Sequence, residues 1–118
     1  MNKEQLKERV KQFAHRCVKL SLALPNNYLC NHLKGQLIRC STSAAANYRA
    51  TCIAQSKASF IAKLATVIEE ADESCFWMEF ITDEQLIKKQ KVMTLLQEGQ
   101  ELTAIFISSR KTAQKNNK

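Results

Sequence analysis

Residues 3–24 read KEQLKERVKQFAHRCVKLSLAL. Leu6, Val10, Phe13, Cys17, Leu20 and Leu24 alternate spacings of four and three, which puts them on one side of a helix. Pro25-Asn26-Asn27 ends the segment, because proline removes a donor and disfavours helix in the residue before it. The 118 residues hold only two Gly and one Pro, so the same pattern has few places to stop. An all-β chain needs many turns, and this sequence lacks the residues for them.

Three further helices are expected. The second, over 28–55, has Leu29, Leu33, Leu37 and Ile38 at helical spacing. Its middle, Ser41 to Asn47, is all small residues, which let a neighbouring backbone come close and can bend the helix through hydroxyl bonds to the preceding turn. A bent continuous helix is the preferred reading; a break at 40–43, with Ser41 or Ser43 as a new N-cap, is the other. The third, over 57–81, starts at Ser56 or Ser59 and is apolar nearly all round from Phe76 to Ile81 except at Glu79. Such a helix is either central or in contact with a second subunit. Thr82 or Asp83 reads as the N-cap of the fourth, over 84–111, and the polar tail 112–118 is expected to fray. Four helices and short loops predict one all-α domain, an up-down antiparallel four-helix bundle over 1–118.

Charge is placed unevenly. The net charge is +7. Residues 58–86 carry seven acids and one lysine, whereas no Asp or Glu lies between Glu8 and Glu69. Carboxylates of the third helix should therefore pair with Arg or Lys of the second. A basic excess makes polyanions plausible partners without choosing among them. Lys3, Lys7 and Lys11, spaced by four, form a stripe expected opposite the apolar seam. Together with Arg16, Lys88, Lys89 and Lys91 they are the candidate phosphate contacts. The aromatics sit at apolar helix positions, so base stacking is disfavoured against backbone contact. Arg39, Ser43 and Asn47, four apart, share a face. With Ser41, Arg49, Asp72 and Glu73 they read as a structural polar network, and the other reading of this face is a phosphate surface.

Catalytic chemistry finds no support. A di-metal carboxylate bundle needs Glu-x-x-His, and neither His15 nor His32 follows a Glu by three. No metal or cofactor is expected. His15 and Cys17, two apart, point to different faces of a helix and lack an orienting third group. No Walker loop, GxGxxG, GxSxG or HExxH occurs. Five Cys without a CxxC pair read as buried free thiols in a reducing cytoplasm. The charged N-terminus is no signal peptide, and no apolar run approaches a membrane span.

Four strings carry a family resemblance. LIRCSTSAAANYR (37–49) resembles the core R-S-x-T-S-I-x-A-N-Y-R, and SFIAKL (59–64) resembles D-F-I-x-K-L. EEADESCFWME (69–79) resembles E-A-D-E-x-x-Y-W-L-E, and LTAIFISSRK (102–111) resembles L-x-A-I-F-x-x-S-x-K. These belong to the four-helix-bundle proteins encoded in intervening sequences of 23S ribosomal RNA genes, to which the accessory variability proteins of diversity-generating retroelements are related. The resemblance covers nearly the whole chain, in order. It departs at Ala44 for Ile, Ser59 for Asp and Phe76 for Tyr. It implies a ring-like homopentamer with a basic surface, nucleic-acid binding and no enzymatic activity. The other reading is an oligomeric scaffold that docks a protein partner such as a reverse transcriptase.

Overall fold

The computed structural model describes residues 1–116. It has four helices: α1 (Lys3–Leu22), α2 (Tyr28–Cys52), α3 (Lys57–Asp83) and α4 (Gln90–Lys115). Three of them start on a side-chain cap. Asn2 accepts from the Gln5 amide at 2.8 Å while the Gln5 side chain accepts from the Asn2 amide at 3.0 Å, a reciprocal capping box. Asn27 accepts from the Cys30 amide at 2.8 Å, and Ser56 accepts from the Ser59 amide at 3.0 Å. Ser56, not Ser59, is therefore the cap of α3.

Each helix packs on its neighbours in chain order, and α4 returns to α1 over a sparser seam; diagonal helices keep their backbones apart among the described residues and meet only through side chains, as where Tyr48 of α2 packs on Phe106 of α4. The result is a square up-down bundle of 50 × 20 × 20 Å. Val10, Phe13 and Cys17 of α1 face Leu33, Leu37 and Cys40 of α2, with Leu64, Val67 and Met78 of α3 and Val92, Leu102 and Phe106 of α4 completing a core buried throughout.

The boundaries depart from the sequence expectation in five places. α1 stops at Leu22 rather than Leu24, where Ala23 closes the last turn onto Lys19 and Leu20 ahead of Pro25, although Leu24 stays buried. α2 stops at Cys52 rather than Gln55. It runs unbroken through 40–43, where Thr42 donates to the Ile38 carbonyl at 2.7 Å, so the bond back to the preceding turn forms without interrupting the helix. α3 runs on to Asp83, and α4 begins at Gln90 rather than Glu84. Thr82 and Asp83 thus end one helix instead of capping the next. The tail expected to fray stays helical through Lys115; residues 117 and 118 lie outside the described residues.

Candidate nucleic-acid interface

The candidate cations divide into groups set by which helix edge each one reaches. At one end of the bundle, Lys3 lies over the Phe60 ring, 5.0 Å from its centroid. It lines an open cleft of about 680 Å³ with Lys57, Ser108 and Ser109. A lysine held over a ring is attracted to its negative face, which ties Lys3 to α3.

Lys7 and Lys11 turn toward α2. With His15 and Arg49 they rim a groove of about 390 Å³ whose floor is Ala14, Val18, Ala45 and Ala46. Lys7 also pairs with Glu4 at 3.0 Å. The stripe expected opposite the apolar seam therefore flanks it, because a spacing of four advances 40° beyond a full turn and walks each lysine around the helix.

Toward the other end, Arg16 faces α4 and shares a shallow groove of about 320 Å³ with Lys19 and Lys91. Lys88 and Lys89 lie beside it in the α3–α4 connection, around Thr82 and Gln85. Among the described residues, Arg16, Lys19, Lys88, Lys89 and Lys91 have no carboxylate within ion-pair distance. Lys3 is not brought to either group. Lys19 is not among the candidate contacts chosen from the sequence, although it follows Arg16 by three, and Arg49, read there as part of the polar network of the second helix, rims the α1–α2 groove.

Other charges are committed. Arg9 forks onto Glu98 of α4, Nε to Oε2 at 2.9 Å and Nη2 to Oε1 at 2.7 Å, and reaches Glu101 at 3.0 Å. The hydrogen bond to Glu98, then that to Glu101, holds its guanidinium charged well above the ordinary range. Arg39 bridges to Glu73 and, at 3.2 Å, to Glu70 of α3. Trp77 Nε1 donates to Glu73 at 3.3 Å.

The polar network drawn from the sequence is therefore partly regrouped. Arg39 and Glu73 meet, and Glu70 joins them. Ser43 and Asn47 bond within α2, the Asn47 amide donating to the Ser43 carbonyl at 2.9 Å and its hydroxyl at 3.0 Å. Ser41 donates to the Ile38 carbonyl at 3.4 Å, within its own helix. Arg49 and Asp72 are not part of it: Arg49 rims the α1–α2 groove, and Asp72 is exposed on α3. The reason is rotation, since Asp72 sits about 100° around the helix from Glu73 and faces solvent.

Three of the five thiols, Cys17, Cys40 and Cys75, are poor nucleophiles. Cys17 and Cys75 are buried, and desolvation pushes each up to about 12; burial also raises Cys40. His15 is on the surface while Cys17 is in the core, so they do not pair. Among the described residues, no group of three or more His, Cys, Asp or Glu is placed to hold a metal ion. No described helix is long and apolar enough to cross a membrane.

Residues 2–108 match the model of the 23S rRNA-intervening sequence protein family. The chain belongs to that family. A solved structure agrees with the assignment: a protein of unknown function from the S23 ribosomal protein family of Bacteroides thetaiotaomicron VPI-5482 superposes with a TM-score of 0.84 at 30% identity, over 94% of this chain and 99% of that one. No curated protein matches the sequence. The family assignment carries the four-helix fold. The matched range ends within α4 and includes Arg16, Lys19, Lys88, Lys89 and Lys91.

Proposed function

We propose that this family member is a non-enzymatic cytoplasmic protein that assembles as a ring-like homopentamer and binds the backbone of RNA or DNA through its basic surface. The observation that carries the reading is the cluster of Arg16, Lys19, Lys88, Lys89 and Lys91 beside the α1–α4 seam, exposed and without a carboxylate partner among the described residues. Elsewhere Glu98 and Glu101 clamp Arg9, Glu70 and Glu73 hold Arg39, and Glu4 pairs with Lys7. Repeating the cluster around a ring multiplies phosphate contacts without demanding base readout. The desolvated thiols support a binding role over a nucleophilic one.

The test is binding to a structured RNA and to a DNA duplex over a salt series, with the solution mass measured in the same buffer. The expected particle is several chains in mass, with log affinity falling by about 0.7–0.9 per log unit of salt for every phosphate contacted. Changing Lys88, Lys89 and Lys91 together to Gln should flatten the slope by about 2–3 for each engaged protomer. A slope unchanged by that variant, and by Arg16→Gln with Lys19→Gln, sinks the reading. Tyr28, 94% exposed on the first turn of α2, favours a second reading, a scaffold docking a protein partner such as a reverse transcriptase. A complex that survives nuclease, with weak binding of naked nucleic acid, would put that reading first.

A further inference from the structure

α3 exposes an aromatic face that its own bundle leaves uncovered. Phe76 is 51% exposed. Its ring meets Trp77 edge-on at 5.0 Å and lies 6.1 Å from Phe80, while His32 of α2 backs Trp77 at 5.8 Å. The cluster is thus a stiff, preformed surface. Asp72 stands one turn before Phe76 and Glu79 one turn after it, both exposed and without an ion-pair partner among the described residues. An apolar anchor with acids at either side asks for a small-residue hollow with bases at its rim.

The same chain carries that hollow. The groove between α1 and α2 has Ala14, Ala45 and Ala46 on its floor and Lys11 and Arg49 on its rim. Its floor belongs to the acid-free stretch, and although Lys7 pairs with Glu4, Lys11 and Arg49 have no ion-pair partner among the described residues. We propose that the acid-rimmed aromatic face of α3 on one copy seats in the cation-rimmed α1–α2 groove of the next copy. The two surfaces differ and lie on separate sides of the bundle, so the contact is head-to-tail and repeats until a ring closes. Complementary charge fixes the register, and the buried aromatic anchor supplies the affinity. Lys11 and Arg49 are then covered in the assembly, and the α1–α4 cluster is what stays open to phosphate. This inference rests on the oligomeric reading above and names the surfaces that carry it.

The test is solution mass by light scattering, with helical content checked by circular dichroism; every charge changed is exposed. The wild type should be an oligomer. Lys11→Glu with Arg49→Glu should fall to monomer, and so should Asp72→Lys with Glu79→Lys. The chain carrying all four changes should recover the wild-type mass, because its acidic groove again faces a basic rim. Phe76→Ala should weaken association by ~10-fold or more, and Ala46→Gln, which fills the groove without changing charge, should act the same way. A wild type monomeric at all concentrations overturns both this contact and the oligomeric reading. An oligomer indifferent to either charge pair leaves the reading standing and overturns this contact alone. Failure of the fourfold variant to reassemble, with both pairs dissociated, overturns the pairing of these two faces. Loss of RNA binding at unchanged mass in the Lys11/Arg49 variant makes the groove a phosphate site and overturns the docking.

Discussion

A methyl group added at Gly99 would lie 2.8 Å from the Cys75 sulfur and 3.1 Å from two ring carbons of Phe13. Both neighbours are buried, so neither can step aside into solvent. Glycine in α4 is what lets α1 and α3 close on it. Gly99→Ala should therefore destabilise the fold by about 1 kcal/mol, as overpacking of ~1–3 kcal/mol outweighs a helix-propensity gain of about 1 kcal/mol. Gly35, with nothing within 4 Å, should respond oppositely, Gly35→Ala adding about 0.5–1 kcal/mol. Urea unfolding of both variants checks the pair, and shifts of the same sign would refute the packing argument. Which glycine is packed was not legible in the sequence, since both stand in ordinary helical context. The same holds for the cations. Their number is plain in the composition, but Lys3 is tied to a ring 57 positions away and Arg9 to a carboxylate 89 positions away. The buried thiols add a pH dependence. Cys17 and Cys75 ionise near 9 when unfolded and are pushed up to about 12 when folded. Between those values the unfolded chain holds fewer protons than the native one, so stability falls as pH rises from about 9, by up to ~1.4 kcal/mol per pH unit for each thiol. Unfolding midpoints at pH 8 and pH 10.5 measure this, and Cys17→Ala should flatten the slope without abolishing it, because Cys75 and Cys40 are raised as well, while lowering stability at both pH values.

At the scale of elements, the sequence made the helices legible and misplaced the last connection. Seams such as Leu6 to Leu24 follow directly from apolar spacing, and Ser56 is one of the two caps expected for the third helix, whereas the caps Asn2 and Asn27 emerge only from the structure. Thr82-Asp83-Glu84 has the composition of a helix start yet lies in a helix end. There the Gln85 amide bonds the Thr82 carbonyl at 3.0 Å, and the Leu86 amide bonds the Ile81 carbonyl at 3.2 Å. That pair of bonds is the Schellman arrangement, and it requires a left-handed residue, which here is Gln85 at φ 56°. Glycine usually stands at that position, so its absence hid the stop. Gln85→Gly should relieve the left-handed strain and stabilise the fold by about 0.5–1 kcal/mol. A higher urea midpoint at unchanged denaturant dependence is the expected signature; a fall would mean that the Gln85 side chain holds the turn by another contact.

For the whole molecule the decisive quantity is how charge is separated, and it fixes the sign of a measurable response. Each copy carries +7, so assembly by apolar contact alone would work against repulsion between like-charged copies. Added salt screens that repulsion and would tighten such an assembly. The α3 face carries Asp72 and Glu79, however, and the α1–α2 groove carries Lys11 and Arg49, all four exposed and without an ion-pair partner among the described residues. Contact between those two faces is attractive at short range while the net charges repel at long range. With a screening length of about 10 Å at 0.1 M salt and about 3 Å at 1 M, moderate salt removes the long-range repulsion first and leaves the facing pairs, which high salt then weakens. Association should accordingly pass through a maximum, tightening at low added salt and loosening toward 1 M. The variant with Asp72→Lys and Glu79→Lys, whose face is no longer complementary, should lose the maximum and only tighten as salt rises. Sedimentation of both proteins across the salt series reads the two curves. A wild-type curve that rises monotonically would mean that the acids of α3 take no part in holding the copies together.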